Sequence, residues 1–143
     1  NYLPQQNFIP PKMKLETCFQ LFKVDLKEFL KIFPEFKAAK NNKMRELSGG
    51  QQRVLEIYIC LNSRAKLILL DEPFSHLSPL YVEKIKHLLQ ELKKEKAIII
   101  TDHMYRHILD SSDEIYLLKN GSTQLIKEEK ALEDYQYLRV GTF

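Results

Sequence analysis

Leu67-Ile68-Leu69-Leu70-Asp71-Glu72-Pro73 is the stretch that decides the fold. Its apolar run has no polar interruption, which predicts a short strand buried on both faces of a parallel sheet. The run ends in two carboxylates, at the edge where α/β sheets place their ligands. Mg²⁺ takes oxygen ligands and usually needs one or two carboxylates beside phosphate oxygens, a role that suits Asp71. Glu72 can polarise an attacking water as a general base. A βα loop can also carry Asp-Glu-Pro merely as a helix start, so this stretch is weighed with its neighbours.

Downstream, Pro79 sits where a helix favours proline, in its first turn. Val82, Ile85, Leu88, Leu89 and Leu92 then fall on one side of that helix, and Lys93 and Lys94 close it. Ala97-Ile98-Ile99-Ile100-Thr101 predicts a second buried strand, followed at once by Asp102 and His103. His103 thus stands at the end of a core strand, as Asp71 and Glu72 do, where an imidazole can contact a γ-phosphate. His76, His87 and His107 lack that setting and read as loop or helix-surface residues. A short helix is expected over 104–110, strands from Glu114 to Leu118 and after Gly121-Ser122, and a last helix over 127–137. Strands alternating with helices predict an α/β fold with a βαβ sheet.

Upstream, Leu47-Ser48-Gly49-Gly50-Gln51 precedes a helix expected over 51–62. Two glycines before a helix leave backbone N–H groups open to an anion. The helix N-terminus and the Ser48 hydroxyl add to that preference. The alternative is a glycine turn that only caps the helix. Before it, Leu15, Cys18, Phe19 and Phe22 recur at helical spacing, and Leu26, Phe29, Leu30 and Phe33 repeat the pattern. Asp25 and Glu28 make a capping box between them, and Pro34 ends the second helix or begins a third. Residues 8–46 therefore read as an all-helical unit. Asn1-Tyr2-Leu3-Pro4-Gln5 has no initiator Met and reads as the end of a strand leaving a core, as in a fragment of a longer protein.

Composition sets the outer limits. Of 143 residues, 44% are hydrophobic and 29% charged, which excludes a disordered or fibrous chain. The 22 basic and 19 acidic residues are interspersed, so no nucleic-acid partner is expected. Cys18 and Cys60 lie among apolar residues, as buried free thiols do, which fits a reducing compartment. No apolar run approaches the roughly 20 residues of a membrane span.

Taken together, these residues resemble the ATP-binding-cassette (ABC) ATPase family. Leu47 to Arg53 resembles the family's signature motif, and Leu67 to Glu72 its Walker B strand with the catalytic glutamate. Ser75-His76-Leu77-Ser78-Pro79 is similar to the D-loop, His103 to the switch histidine, and Tyr2-Leu3-Pro4-Gln5 to the Q-loop. The motifs stand in the family's order from Leu3 to about Leu125. Asp-Glu-Pro-Phe and Ile-Thr-Asp-His resemble the ATPases of lipopolysaccharide export and branched-chain amino-acid import in particular.

The resemblance implies a partial P-loop NTPase sheet with an inserted helical subdomain at 8–46. The signature lies at 47–51, the α/β core at 63–126, and a C-terminal helix and tail at 127–143. It implies ATP and Mg²⁺ as cofactors. Asp71 and Gln5 would serve the metal, Glu72 and His103 catalysis, and Ser48, Gly49, Gly50 and Gln51 the nucleotide of a second ABC ATPase subunit paired head to tail. It implies transmembrane permease subunits as partners and a place on the cytoplasmic face of the cell membrane. Two features depart from the family. The phosphate loop Gly-x-x-x-x-Gly-Lys-Ser/Thr (Walker A) is absent, since the only glycines are Gly49, Gly50, Gly121 and Gly141. The carboxylate that usually ends the D-loop is replaced by Ser78. By itself the chain is therefore expected to be inactive. The alternatives are a soluble ABC ATPase of translation or DNA repair, or a non-enzymatic regulatory cassette. Repair types carry a long coiled coil between the Walker motifs, and no sustained heptads occur here.

Overall fold

The computed structural model describes residues 1–128 and 130–134. The chain divides between Met104 and Tyr105 into two compact units.

The first unit is built on a three-stranded sheet. Strands β1 (Tyr2–Leu3), β2 (Leu67–Asp71) and β3 (Ala97–Thr101) lie in that order and are all parallel. Leu3 pairs with Leu70, and Asp71 with Thr101, so the polar ends of all three strands lie at one edge. The expectation of strands covered on both faces needs correction. Ile68 and Leu70 are fully buried, whereas Leu67 and Leu69 are 47% and 36% exposed and Ile99 is 55% exposed. An uninterrupted apolar run shows that both faces are apolar, not that something covers each of them.

Helices α1 (Leu15–Phe22) and α2 (Leu26–Ile32) form at the expected spacing. Asp25 caps α2 by accepting from the Lys27 and Glu28 amides. Glu28 pairs instead with Lys31, so only half of the expected capping box is made. Pro34 opens a 3₁₀ helix, Pro34–Ala39. Phe19, Phe29, Phe33 and Phe36 are buried and cluster around Tyr58 and one another, with ring centroids 4.9–6.3 Å apart in their contacts. Most aromatics of this region are thus core. Its exposed apolar surface is Leu21 and Phe22, with Phe8 edge-on against Phe22 at 5.8 Å.

Tyr58 lies on α3 (Gly49–Leu61), whose residues from Arg53 to Leu61 are all buried. A helix apolar around its whole circumference must lie inside, and α3 packs against β1, β2 and α4 (Pro79–Leu92). Lys96 Nζ donates to the Leu61 and Ser63 carbonyls at 2.7 and 2.5 Å, a cation at the C-terminus of α3 where the helix dipole favours it. Lys93 and Lys94, expected in the last turn of α4, fall outside it: Lys93 is the C-cap and Lys94 lies beyond. Cys18 and Cys60 are free and buried, and burial pushes each thiol up to about 11.

The second unit begins with α5 (Tyr105–Ser111). Strands β4 (Ile115–Lys119) and β5 (Ser122–Ile126) pair with each other as an antiparallel hairpin in a sheet of their own, not as continuations of the parallel sheet. Asn120 and Gly121, both at positive φ, make its two-residue turn, the chemistry such hairpins demand. Leu117, Ile126 and Leu132 form the small core of this unit. Of the last expected helix, 127–137, α6 covers Ala131–Asp134; Lys127, Glu128 and Lys130 are bend and turn instead of helix, and the other positions lie outside the described residues.

Candidate active site

The parallel sheet sets the site. Register places Asp71 beside Thr101, and the Thr101 hydroxyl donates to Asp71 Oδ1 at 2.7 Å. Tyr2, one strand over, donates its phenol to Asp71 Oδ2 at 3.0 Å. That bond raises the Tyr2 pKa above its ordinary value, so the phenol keeps its proton. Each carboxylate oxygen of Asp71 accepts one hydroxyl and retains further lone-pair capacity.

The chain then turns sharply. Glu72 adopts φ of 45°, a left-handed conformation uncommon outside glycine, while its amide donates to the Thr101 carbonyl at 2.7 Å. This turn presents the Glu72 carboxylate to side chains from distant parts of the sequence. Gln5 Nε2 donates to Oε2 at 2.8 Å, and the Ser75 hydroxyl donates to the same oxygen at 3.3 Å. His103 Nδ1 stands 3.6 Å from Oε1. The His103 side chain is 66% exposed. Asp102 beside it has a fully buried side chain, which accepts from the Phe74 and Met104 amides and fixes the loops on either side.

Gln5, Asn7, Gly49, Arg53, Glu72, Ser75 and His76 line one cleft of about 220 Å³. Gly49 and Gly50 open α3, and Ser48 is its N-cap. Ser48 Oγ accepts from the Gln51 amide at 3.2 Å and Gln51 Oε1 accepts from the Ser48 amide at 2.9 Å, a complete capping box. Gln51 is therefore committed to the helix start, whereas the Ser48 hydroxyl hydrogen is not used in that box. The two glycines differ. A Cβ on Gly49 would meet nothing within 4 Å, whereas one on Gly50 would lie 3.1 Å from the His76 carbonyl oxygen.

Arg53 and Glu56, both on α3, are charged residues buried from solvent. Arg53 Nη1 donates to the Pro4 carbonyl at 2.6 Å, and Nη2 to the Asp71 and Glu72 carbonyls at 2.5 and 3.1 Å. Burial lowers its pKa, opposed by the carboxylates of Glu56, Asp71, Asp102 and Glu72, and a guanidinium stays charged regardless. Glu56 Oε1 accepts from the Phe8 and Ile9 amides at 2.9 and 3.0 Å. Its Oε2 is buried without a hydrogen-bond partner among the described residues, and burial raises its pKa. Arg53, Tyr2 and Thr101 lie within the stretches that carry the resemblance, but the sequence assigned a site role to none of them, nor to Glu56. For Arg53 and Glu56 a signal existed, two charges in an otherwise apolar helix.

The fold defines a class, α/β with a parallel sheet whose strand ends gather the candidate residues. The family model described as ABC transporter matches residues 1–75, and the chain belongs to that family. It is 35% identical over 105 residues to the lipopolysaccharide export system ATP-binding protein of Haemophilus influenzae, covering 71% of this chain and 43% of that protein. It is 31% identical over 101 residues to the high-affinity branched-chain amino acid transport ATP-binding protein of Pseudomonas aeruginosa, covering 70% of this chain and 43% of that one. The chain thus spans less than half the length of these relatives. Among solved structures, the ATP-binding subunit of an ABC transporter superposes with a TM-score of 0.74 at 20% identity, covering 97% of this chain and 62% of that one. At that identity the likeness shows the fold. Among the described residues no helix is long and apolar enough to cross a membrane.

Proposed function

We propose that this chain is part of a nucleotide-binding subunit that hydrolyses ATP to drive transport across a membrane. The observation that carries the reading is the convergence on Glu72: Gln5 bonded at 2.8 Å and His103 at 3.6 Å, each from a different motif. Family membership and the names of the transport relatives support it.

The donor set fits Mg-ATP. Asp71 offers carboxylate oxygens whose present partners are hydroxyl donors, compatible with a hard cation that keeps most of its waters. When bound, ATP supplies the phosphoanhydride and Mg²⁺ neutralises charge on it. The chain's own residues do the rest by positioning. Asp71 and Gln5 would hold the metal and its water. Glu72, oriented by Gln5 and Ser75, would accept the proton of the attacking water at its carboxylate. His103 would contact the terminal phosphate. Ser48, Gly49 and Gly50 present a hydroxyl and a helix N-terminus to the nucleotide of a second cassette paired head to tail, with Gln51 keeping that N-terminus in shape.

Leu21, Phe22 and Phe8 form the apolar surface that would dock on a permease subunit, on the cytoplasmic side of the membrane. The 143 residues hold no Gly-x-x-x-x-Gly-Lys-Ser/Thr loop, so alone they are expected neither to hydrolyse ATP nor to bind it tightly, which isothermal titration with Mg-ATP checks. The test of the reading itself is Glu72→Gln in the longer protein that carries this chain. It should lose steady-state hydrolysis, keep ATP binding and accumulate an ATP-bound dimer. Near-normal turnover would remove Glu72 as the base.

A further inference from the structure

Three consecutive polar contacts fasten the segment around Gln5 to α3. Arg53 Nη1 donates to the Pro4 carbonyl, Asn7 Nδ2 donates to Gln52 Oε1 at 2.6 Å, and the amides of Phe8 and Ile9 donate to Glu56 Oε1. The segment is thus held on both sides of Gln5. From the same guanidinium, Nη2 reaches the main chain at the end of β2, at the carbonyls of Asp71 and Glu72. All three bonds of Arg53 go to main-chain carbonyls. They come from two nitrogens of one rigid plane, and an ammonium, whose three donors share one nitrogen at the end of a flexible stem, cannot copy the span of that fork.

We propose that Arg53 is a positioning residue for hydrolysis. It locks the backbone at Pro4 and at Asp71-Glu72 into one frame, so that the Gln5 amide and the Glu72 carboxylate meet. Nothing else among the described hydrogen bonds joins α3 to both the Pro4 segment and the end of β2. Arg53 lies one helical turn from Gly49, on the same helix. The inference rests on the reading of Glu72 as the base, and its test separates the two.

In the longer protein that carries this chain, Arg53→Lys and Arg53→Gln are compared with Glu72→Gln for Mg-ATP binding, kcat, KM and thermal unfolding. Both Arg53 variants should fold and bind Mg-ATP within about threefold of the parent. Their kcat should fall by ~100-fold, the scale of an ångström-sized misplacement of reacting groups, with little change in KM. Lysine should not rescue. A kcat loss smaller than about tenfold in Arg53→Lys, or a loss confined to KM, would overturn the proposal. So would activity that merely tracks the folded fraction, or failure of both variants to fold, since Arg53 would then act on the fold alone. If Glu72→Gln turns over normally, the base assignment fails whatever the Arg53 variants do. If Glu72→Gln is inactive while Arg53→Lys is fully active, the positioning role alone fails.

Discussion

Gln5 and Glu72 lie 67 positions apart and are joined by a 2.8 Å hydrogen bond from amide to carboxylate. The bond exists because β1 pairs in parallel with β2, which brings the residues following Leu3 and Leu70 to the same sheet edge. Gln5→Glu would set two carboxylates at a separation where both cannot ionise freely. One would be pushed above the ordinary carboxylate range. The variant should lose hydrolysis around pH 6 and recover part of it as the pH rises, while Gln5→Ala shows no such recovery. Rate against pH for the two variants in the longer protein checks this.

The two signature glycines should separate under substitution. Gly49→Ala introduces a methyl group with no neighbour within 4 Å and gains helix propensity, so it should be neutral or stabilising by up to about 1 kcal/mol. Gly50→Ala must push against the His76 carbonyl at 3.1 Å and should lose that advantage. Thermal unfolding of the pair reads the difference. Gly50→Asp should in addition impair hydrolysis without preventing ATP binding, because its carboxylate would face the partner's phosphate.

Ser78 stands where the family usually has Asp, and the structure gives it a defined task. It is the N-cap of α4, its hydroxyl oxygen accepting from the Tyr81 amide at 3.4 Å. Serine and aspartate cap about equally well, and alanine costs about 1 kcal/mol. Ser78→Asp should therefore match the parent within about 0.5 kcal/mol, and Ser78→Ala should fall below it. Denaturant midpoints at constant slope measure both.

Glu56 should make stability depend on pH. Its folded pKa is raised by burial, so the folded state holds the proton more tightly than the unfolded chain does. That contribution is fully present below the ordinary Glu value of about 4.3 and is lost as pH rises through the raised folded value. Glu56→Gln keeps an acceptor oxygen for Phe8 and Ile9 but cannot titrate. Relative to this variant, the parent should lose stability as the pH rises above the ordinary Glu value of about 4.3. Urea unfolding at several pH values gives the slope, and a constant difference would mean that Glu56 does not titrate across that range.

Much of this protein was readable because its signals are local. The helical spacing of Leu15 to Phe22, the cap at Asp25, Pro79 in the first turn of α4 and the motif order from Tyr2 to His103 each depend on neighbours in sequence. They determined the α/β class, the family resemblance and the candidate residues Asp71, Glu72 and His103. What covers a strand is not local: Leu67 and Leu69 carry the same aliphatic side chains as Ile68 and Leu70, yet only the latter pair is buried. Nor is the partner of a charge. Arg53 could have pointed to solvent from a helix of any orientation. Only the packing of α3 against β1 and β2 puts its guanidinium within reach of three carbonyls, two of them 18 and 19 positions away and the third 49. Sequence thus determined which chemistry the chain carries, because residue types and short spacings are written in it. Tertiary structure decided which groups touch, because a 2.5–3.1 Å hydrogen bond depends on the placement of whole elements.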